Sequence, residues 1–369
     1  MNKATKIIIF CLLTTLFILG GFGLDLIYFS YVAILVLSLI LIFLVSKHEL
    51  VFPPRLKPFV LFLAFNLVSI FWSVNPITSY GYFLLFLSAL LIWVVFYNLG
   101  HEGIISDQKT FFYFICLLGL VFGLLFIFKP NPFDLKRGEF SLYFYSTLPK
   151  SHSHIGDLWA AILAASLPFY AKGKRKIRNW FLIAAGIVFL YFSKSRSAIF
   201  SMAAAFIFFA YKLKLKKDAV KSIYWGVFPL IALFIFFGAG KSTLFTRPYY
   251  FHSLLGFIKE PFGVGLGNFV FISYPLRNLI PGVSGYSYFV HNLILEIVSG
   301  MGIFSAVFIF WFIRIHRDLL EKTKVSSLVF GLAFLALSVN FMFDITYFIP
   351  TMLWLWFASL GLLQAEAGD

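Results

Sequence analysis

Charge is what this sequence has least of. Only 12% of its 369 residues are Asp, Glu, Lys or Arg, about half the share a soluble domain carries, which is too little polar surface to cover a water-facing globule. Cysteine is almost missing too. Cys11 and Cys116 are the two present, each inside an apolar run, which reads as small packing residues and argues against a disulfide framework. The alternating stretches of about ten residues that build a membrane β-barrel are absent. Met1 to Gly23 has the basic start and apolar stretch of a signal peptide, but no small-x-small cleavage site followed by a soluble domain. It reads as a retained first helix. No internal repeat or low-complexity tract stands out.

What is abundant is apolar. Hydrophobic residues make up 61% of the chain, 51 of them Phe, and the mean hydropathy is +0.93, so the expected solvent is a lipid bilayer. Backbone groups in hydrocarbon need internal partners, and apolar runs of about 20 residues select helices over a barrel. The runs fall at 6–23, 25–46, 58–74, 77–98, 109–128, 155–171, 179–193, 197–211, 222–239, 289–313, 325–343 and 347–364. The expectation is an all-α, polytopic integral membrane protein, a single transmembrane domain over 1–369 with about twelve helices.

The basic residues orient it. With the N-terminus inside, about two thirds of the 30 Lys and Arg fall on the cytoplasmic side, including the clusters Lys172 to Arg178, Lys212 to Lys221 and Arg314 to Lys324. Both termini are then cytoplasmic. The net charge of +15 follows from this asymmetry and from attraction to anionic lipid, and nucleic-acid binding is not expected. Two loops on the outer side are long, 129–154 and 240–288. The second joins the ninth and tenth helices, and Phe251, Leu254, Leu255, Phe257 and Ile258 give it an amphipathic segment suited to a membrane surface. Loops of this length are usually functional.

A few polar groups break the apolar pattern. Ser193-Lys194-Ser195-Arg196-Ser197 interrupts two runs at the outer end of a hairpin. It is either a functional cavity or a solvated turn with Lys194 and Arg196 snorkelling to the interface. Gly238 to Thr243 imitates the end of a P-loop, but Ile235 stands where the motif needs glycine, so nucleotide binding is not expected. Gly263, Gly265 and Gly267 alternate between Pro261 and Phe269, which suits either a tight turn or a nest of amides facing an anion. His152, His154 and Asp157 supply the residue types of a zinc site, against the plainer reading of caps at a helix start. His291-Asn292 opens the tenth helix. A histidine there is either a cap or a general base, since it titrates near neutral pH. Glu296 lies off the face of His291.

Taken in order, these segments resemble the O-antigen ligase and polymerase superfamily over residues 193–302. The resemblance rests on Ser195-Arg196-Ser197 opening a helix, Arg247 beginning the long loop, Pro261-x-Gly-x-Gly-x-Gly-Asn-Phe269, then His291-Asn292-x-x-Leu295 with Gly300 and Gly302 downstream. It departs from the family at Tyr249, Tyr250 and Phe251, where a Trp is frequent, and at Val298 and Ser299, where an acidic residue is frequent. The resemblance implies an inverting, metal-independent glycosyltransferase of the bacterial cytoplasmic membrane, acting at its outer face without a cofactor. Its donor would be an undecaprenyl-diphosphate-linked glycan. Its acceptor would be a hydroxyl of a glycan, lipid or protein, as in polymerisation or in ligation to lipopolysaccharide core. His291 would be the catalytic base, with Arg196 and Arg247 on the diphosphate and Ser195, Gly265, Gly267, Asn268 and Asn292 in support. The competing class is a transporter or channel, which would place ionisable residues and broken helices near the bilayer midplane.

Overall fold

The computed structural model describes residues 3–22, 24–47, 49–103, 107–128, 148, 152–171, 177–213, 248–278 and 285–367. The run at 222–239, the segment Gly238 to Thr243, Arg247 and nearly all of the loop at 129–154 lie outside them. All regular structure among the described residues is helical. In chain order the helices are α1 (Lys3–Gly20), α2 (Leu26–Val45), α3 (Leu56–Ser69), α4 (Pro76–His101), α5 (Gln108–Phe128), α6 (His152–Ala171) and α7 (Ile177–Ser193). They continue with α8 (Arg196–Lys212), α9 (Pro248–Lys259), α10 (Val270–Ser273), α11 (Leu293–Met301), α12 (Ser305–Lys322), α13 (Leu328–Asn340) and α14 (Pro350–Ala367).

Local chemistry explains where several of them begin. Asp25 caps α2 by accepting from the amides of Ile27 and Tyr28, and Asn75 caps α4 through Thr78 N–H with Pro76 in the first helical position, where its missing N–H costs nothing. The centre of the bundle is α14. It is apolar nearly all round, and every residue from Pro350 to Ala365 is buried, as expected of a core helix. It lies along α4 so closely that a Cβ on Gly361 would stand 2.8 Å from the Trp93 carbonyl oxygen and 2.9 Å from the Tyr97 nitrogen. On the other side α13 packs between α14 and the pair α6 and α8. Three buried indoles find partners: Trp93 donates to Gln364 Oε1, Trp354 to Ser88 Oγ and Trp356 to Ser338 Oγ, so these rings enter the core without orphaned N–H groups.

The outside of the bundle is apolar as well. On α2, Leu35, Leu39 and Ile42 are each more than half exposed; their spacing places them on one helix face, which none of the other described residues covers. Among the described residues four helices are long and apolar enough to cross a membrane: Leu26–Val45, Pro76–His101, Gln108–Ile127, and Leu293–Lys322, which joins α11 and α12 across Gly302. Other apolar helices, such as Ala4–Gly20, Leu56–Trp72 and Val325–Asn340, are shorter. The described helices therefore include four candidate crossings by length and composition, which does not establish the twelve or so expected from the apolar runs, one of which, 222–239, lies outside the described residues. The expected helix over 289–313 begins at Leu293, breaks at Gly302 and continues to Lys322.

Candidate functional site

Two helices far apart in sequence begin in the same strained way. Lys194 precedes α8 at φ 50° and His291 precedes α11 at φ 62°. In each case an extended N-cap follows, Ser195 accepting from Ala198 N–H and Asn292 from Leu295 N–H. A left-handed residue other than glycine costs about 1–3 kcal/mol. Both turns must therefore be held by what surrounds them.

For α8 the hold comes from α6. Ser195 Oγ and Ser197 Oγ both donate to Asp157 Oδ1, at 2.7 and 2.8 Å, and lie 2.8 Å from each other. Gly156 permits this approach, because a Cβ there would collide with the Ser193 side chain. For α11 the hold comes from the turn after α13: Leu293 N–H donates to Phe341 O at 2.8 Å and Asn292 Nδ2 to Met342 O at 3.0 Å. That same turn reaches back to α8 and α6. Asp344 Oδ2 lies 3.5 Å from Ser197 Oγ, Asp344 Oδ1 lies 4.0 Å from His154 Nε2, and Thr346 Oγ1 donates to Asn340 Oδ1 to close the turn. Residues 340–346 thus strap the starts of α8 and α11 together.

His291 is fixed from two further directions. Buried Glu296 accepts from Val290 N–H at 2.8 Å and from Tyr347 OH at 3.4 Å, which fastens the backbone just ahead of the histidine. From α9, Tyr249 meets the imidazole ring edge to face, with centroids 5.8 Å apart at 89°. The inward side of α9 is otherwise anchored by Ser253, which donates to Leu295 O at 2.8 Å, and by His252, whose Nδ1 lies 3.0 Å from Ser273 Oγ. Burial pushes the His252 imidazole below the usual histidine range, opposed by its bond to the Leu276 carbonyl. Phe251, Leu254 and Ile258 form an exposed apolar stripe on the other side of α9, which is the amphipathic pattern read from the sequence.

The glycine segment is packed against its neighbours. Val264 and Gly265 give their amides to Ser299 O and Gly300 O, and Gly263 N–H goes to Glu260 O. Gly263, Gly265 and Gly267 have φ of 78°, 87° and 77°, and a Cβ on Gly267 would collide with the Tyr82 ring. Asn268 Nδ2 donates to Ser73 Oγ at 2.8 Å and lies 3.0 Å from Ser79 Oγ. Gly265, Gly267 and Asn268 therefore pin the segment to the start of α4 and the end of α11.

The structure brings Ser195, Arg196, His154, Asp157, His291 and Asn292 to one end of the bundle, around the strap. Arg196 is half-buried as the first residue of α8. Arg247, one residue before α9, and the side chain of His152, which begins α6, lie outside the described residues. Among the described residues no three His, Cys, Asp or Glu side chains are grouped to hold a metal. Sequence reasoning missed the strap, and Asp344 above all. The available signal was that Asp344 is the sole acidic residue between Lys324 and Glu366, and a lone carboxylate in an apolar stretch is a functional candidate. Chemically, the positive dipole ends of two helices, beside an arginine, favour an anion, and a half-buried histidine stands at one of them. A scan against protein-family models finds no match, and no curated protein matches the chain.

Proposed function

We propose that this chain is a membrane glycosyltransferase of the bacterial cytoplasmic membrane, both termini cytoplasmic, that moves glycan from an undecaprenyl-diphosphate-linked donor onto a hydroxyl acceptor. The observation that carries the reading is the strap at 340–346, which ties the Ser195-Arg196-Ser197 turn to the His291-Asn292 turn. Those are two of the four elements that carry the resemblance to O-antigen ligases and polymerases, and they stand more than ninety residues apart. In the proposed step His291 takes the proton of the acceptor hydroxyl as its oxygen attacks the anomeric carbon, and the bond to the diphosphate breaks on the opposite face, with inversion. Arg196, with Arg247 as its proposed partner, receives the negative charge that develops on the leaving diphosphate; guanidinium meets phosphate oxygens bidentately and does the work a metal would otherwise do. Asp157 and Asp344 act at one remove, by holding the serine hydroxyls that shape the α8 turn.

Deleting the protein in its native host and sizing the surface glycan tests this reading. Single repeat units would identify a polymerase, and unattached lipid-linked polymer a ligase; an unchanged profile would count against both. A transporter, the competing class, draws support from the buried Asp157 and Glu296 and the half-buried His316. It predicts unprocessed glycan retained on the inner side.

A further inference from the structure

At the end of the bundle opposite the strap, α4, α12 and α14 part to leave a cleft of about 330 Å³, within the size range of sites that hold small ligands. Its floor is apolar, made by Phe52, Ile315, Leu319, Leu360 and Leu363. Asp318 and Lys322 line it, and Arg55 joins them from beside the lining to form an ion triad. Asp318 is bonded to Arg55 Nε at 3.0 Å and lies 3.2 Å from Lys322 Nζ, so one carboxylate gathers two cations and leaves a net single positive charge at the edge of an apolar cavity.

We propose that this cleft binds an anionic phospholipid, with the phosphodiester on Arg55 and Lys322 and the first part of an acyl chain over Leu319, Leu360 and Leu363. Three observations point to that occupant. The triad is already organised: the Asp318 bonds hold the guanidinium and the ammonium in place, while Arg55 Nη1 makes no hydrogen bond among the described residues and stays available to a phosphate oxygen. Its charge of plus one complements a phosphodiester whose headgroup carries no cation, and it favours a zwitterionic headgroup less. The surrounding segment from Arg314 to Lys324 holds four cations and two carboxylates, and basic pockets between helices on a cytoplasmic face are suited to anionic lipid headgroups. A soluble phosphate would leave the apolar floor unfilled, so the floor selects a lipid. Gln364 is not available to the ligand, since it is held by Trp93 and by the Pro54 carbonyl. The inference does not depend on the proposed transferase activity.

Purified full-length protein in detergent would be titrated with phosphatidylglycerol, phosphatidylcholine and glycerol 3-phosphate, reading lipid binding by native mass spectrometry and thermal stability by tryptophan fluorescence. Phosphatidylglycerol should bind saturably and raise the melting temperature; phosphatidylcholine and glycerol 3-phosphate should do neither at the same concentration. The double variant Arg55→Gln, Lys322→Gln should lose roughly 10- to 100-fold in phosphatidylglycerol affinity, the size expected when hydrogen bonds to a charged group are lost. Should that variant fold poorly, Ala367→Trp fills the mouth of the cleft from a helix end and should abolish binding with the triad intact. Arg317→Gln, exposed, paired with Glu321 and outside the cleft lining, should lower phosphatidylglycerol affinity far less than the double variant does. Equal binding of phosphatidylglycerol and phosphatidylcholine, undiminished affinity in either cleft variant, or binding of glycerol 3-phosphate alone would each overturn the proposal.

Discussion

His291 combines a titratable ring with a backbone conformation that few side chains tolerate, and the two properties can be separated by substitution. Asparagine accepts the left-handed region more readily than most residues. His291→Asn should therefore fold and still bind lipid-diphosphate donor, while turnover falls by about 10²- to 10⁴-fold, the range for loss of a general base. An Asn variant that melts far below the unaltered protein would instead assign the histidine a structural role. Arg196→Ala should weaken donor binding and turnover together, and Arg196→Lys should restore only part, because the ammonium lacks the planar fork. His252 offers a contrast at the same scale. Its folded-state pKa is depressed by burial, so the neutral ring is the form the fold favours. The stability it contributes is complete above the unfolded value of about 6.5 and is lost as the pH falls through its folded value. Thermal melts from pH 7.5 downward should show this loss in the unaltered protein and a flatter profile in His252→Gln. Identical slopes would mean that another group governs the acid limb.

At the scale of elements, the starts of α8 and α11 were readable in advance, because Ser195 and Asn292 are good N-caps set at the edges of apolar runs. What held those starts together was not readable. A hydrogen bond from Asn292 to the Met342 carbonyl uses a backbone acceptor that leaves no mark on the sequence, and Asp344 stood between two apolar runs as an unremarked break. The alternating glycines were legible as a place of close backbone approach, yet the pattern could not say whether their amides faced an anion or a neighbouring helix. Val264 and Gly265 spend theirs on the carbonyls that end α11. Gly156 shows the same limit: its role appears only once Ser193 is seen beside it. Gly156→Ala should cost about 1–3 kcal/mol through overpacking and loosen the serine turn on Asp157. Gly81→Ala, whose Cβ would meet only ordinary contacts, should be neutral or slightly stabilising. Thermal unfolding of the two variants side by side measures the difference, and equal melting temperatures would remove Gly156 from the architecture of the site.

For the whole molecule, composition foretold what the described residues show, helices throughout and an exposed apolar exterior, because too few polar side chains exist to build any other surface. It could not set the number of crossings, since a short apolar helix in a bundle and a membrane-spanning one have the same composition. Orientation rests on the basic residues. Single cysteines at Lys174 and Lys216 should be shielded from an impermeant reagent in intact cells, while cysteines at Lys136 and Lys259 should react; labelling of the first pair would invert the topology. The transfer reaction itself is tested most directly with purified protein in vesicles supplied with an undecaprenyl-diphosphate-linked glycan and a hydroxyl acceptor. The expected result is glycosylated acceptor and released undecaprenyl diphosphate in the presence of a chelator, with the rate falling by about 10²- to 10⁴-fold in His291→Ala. Full activity in His291→Ala, or activity that chelation abolishes and one particular metal restores, would contradict it.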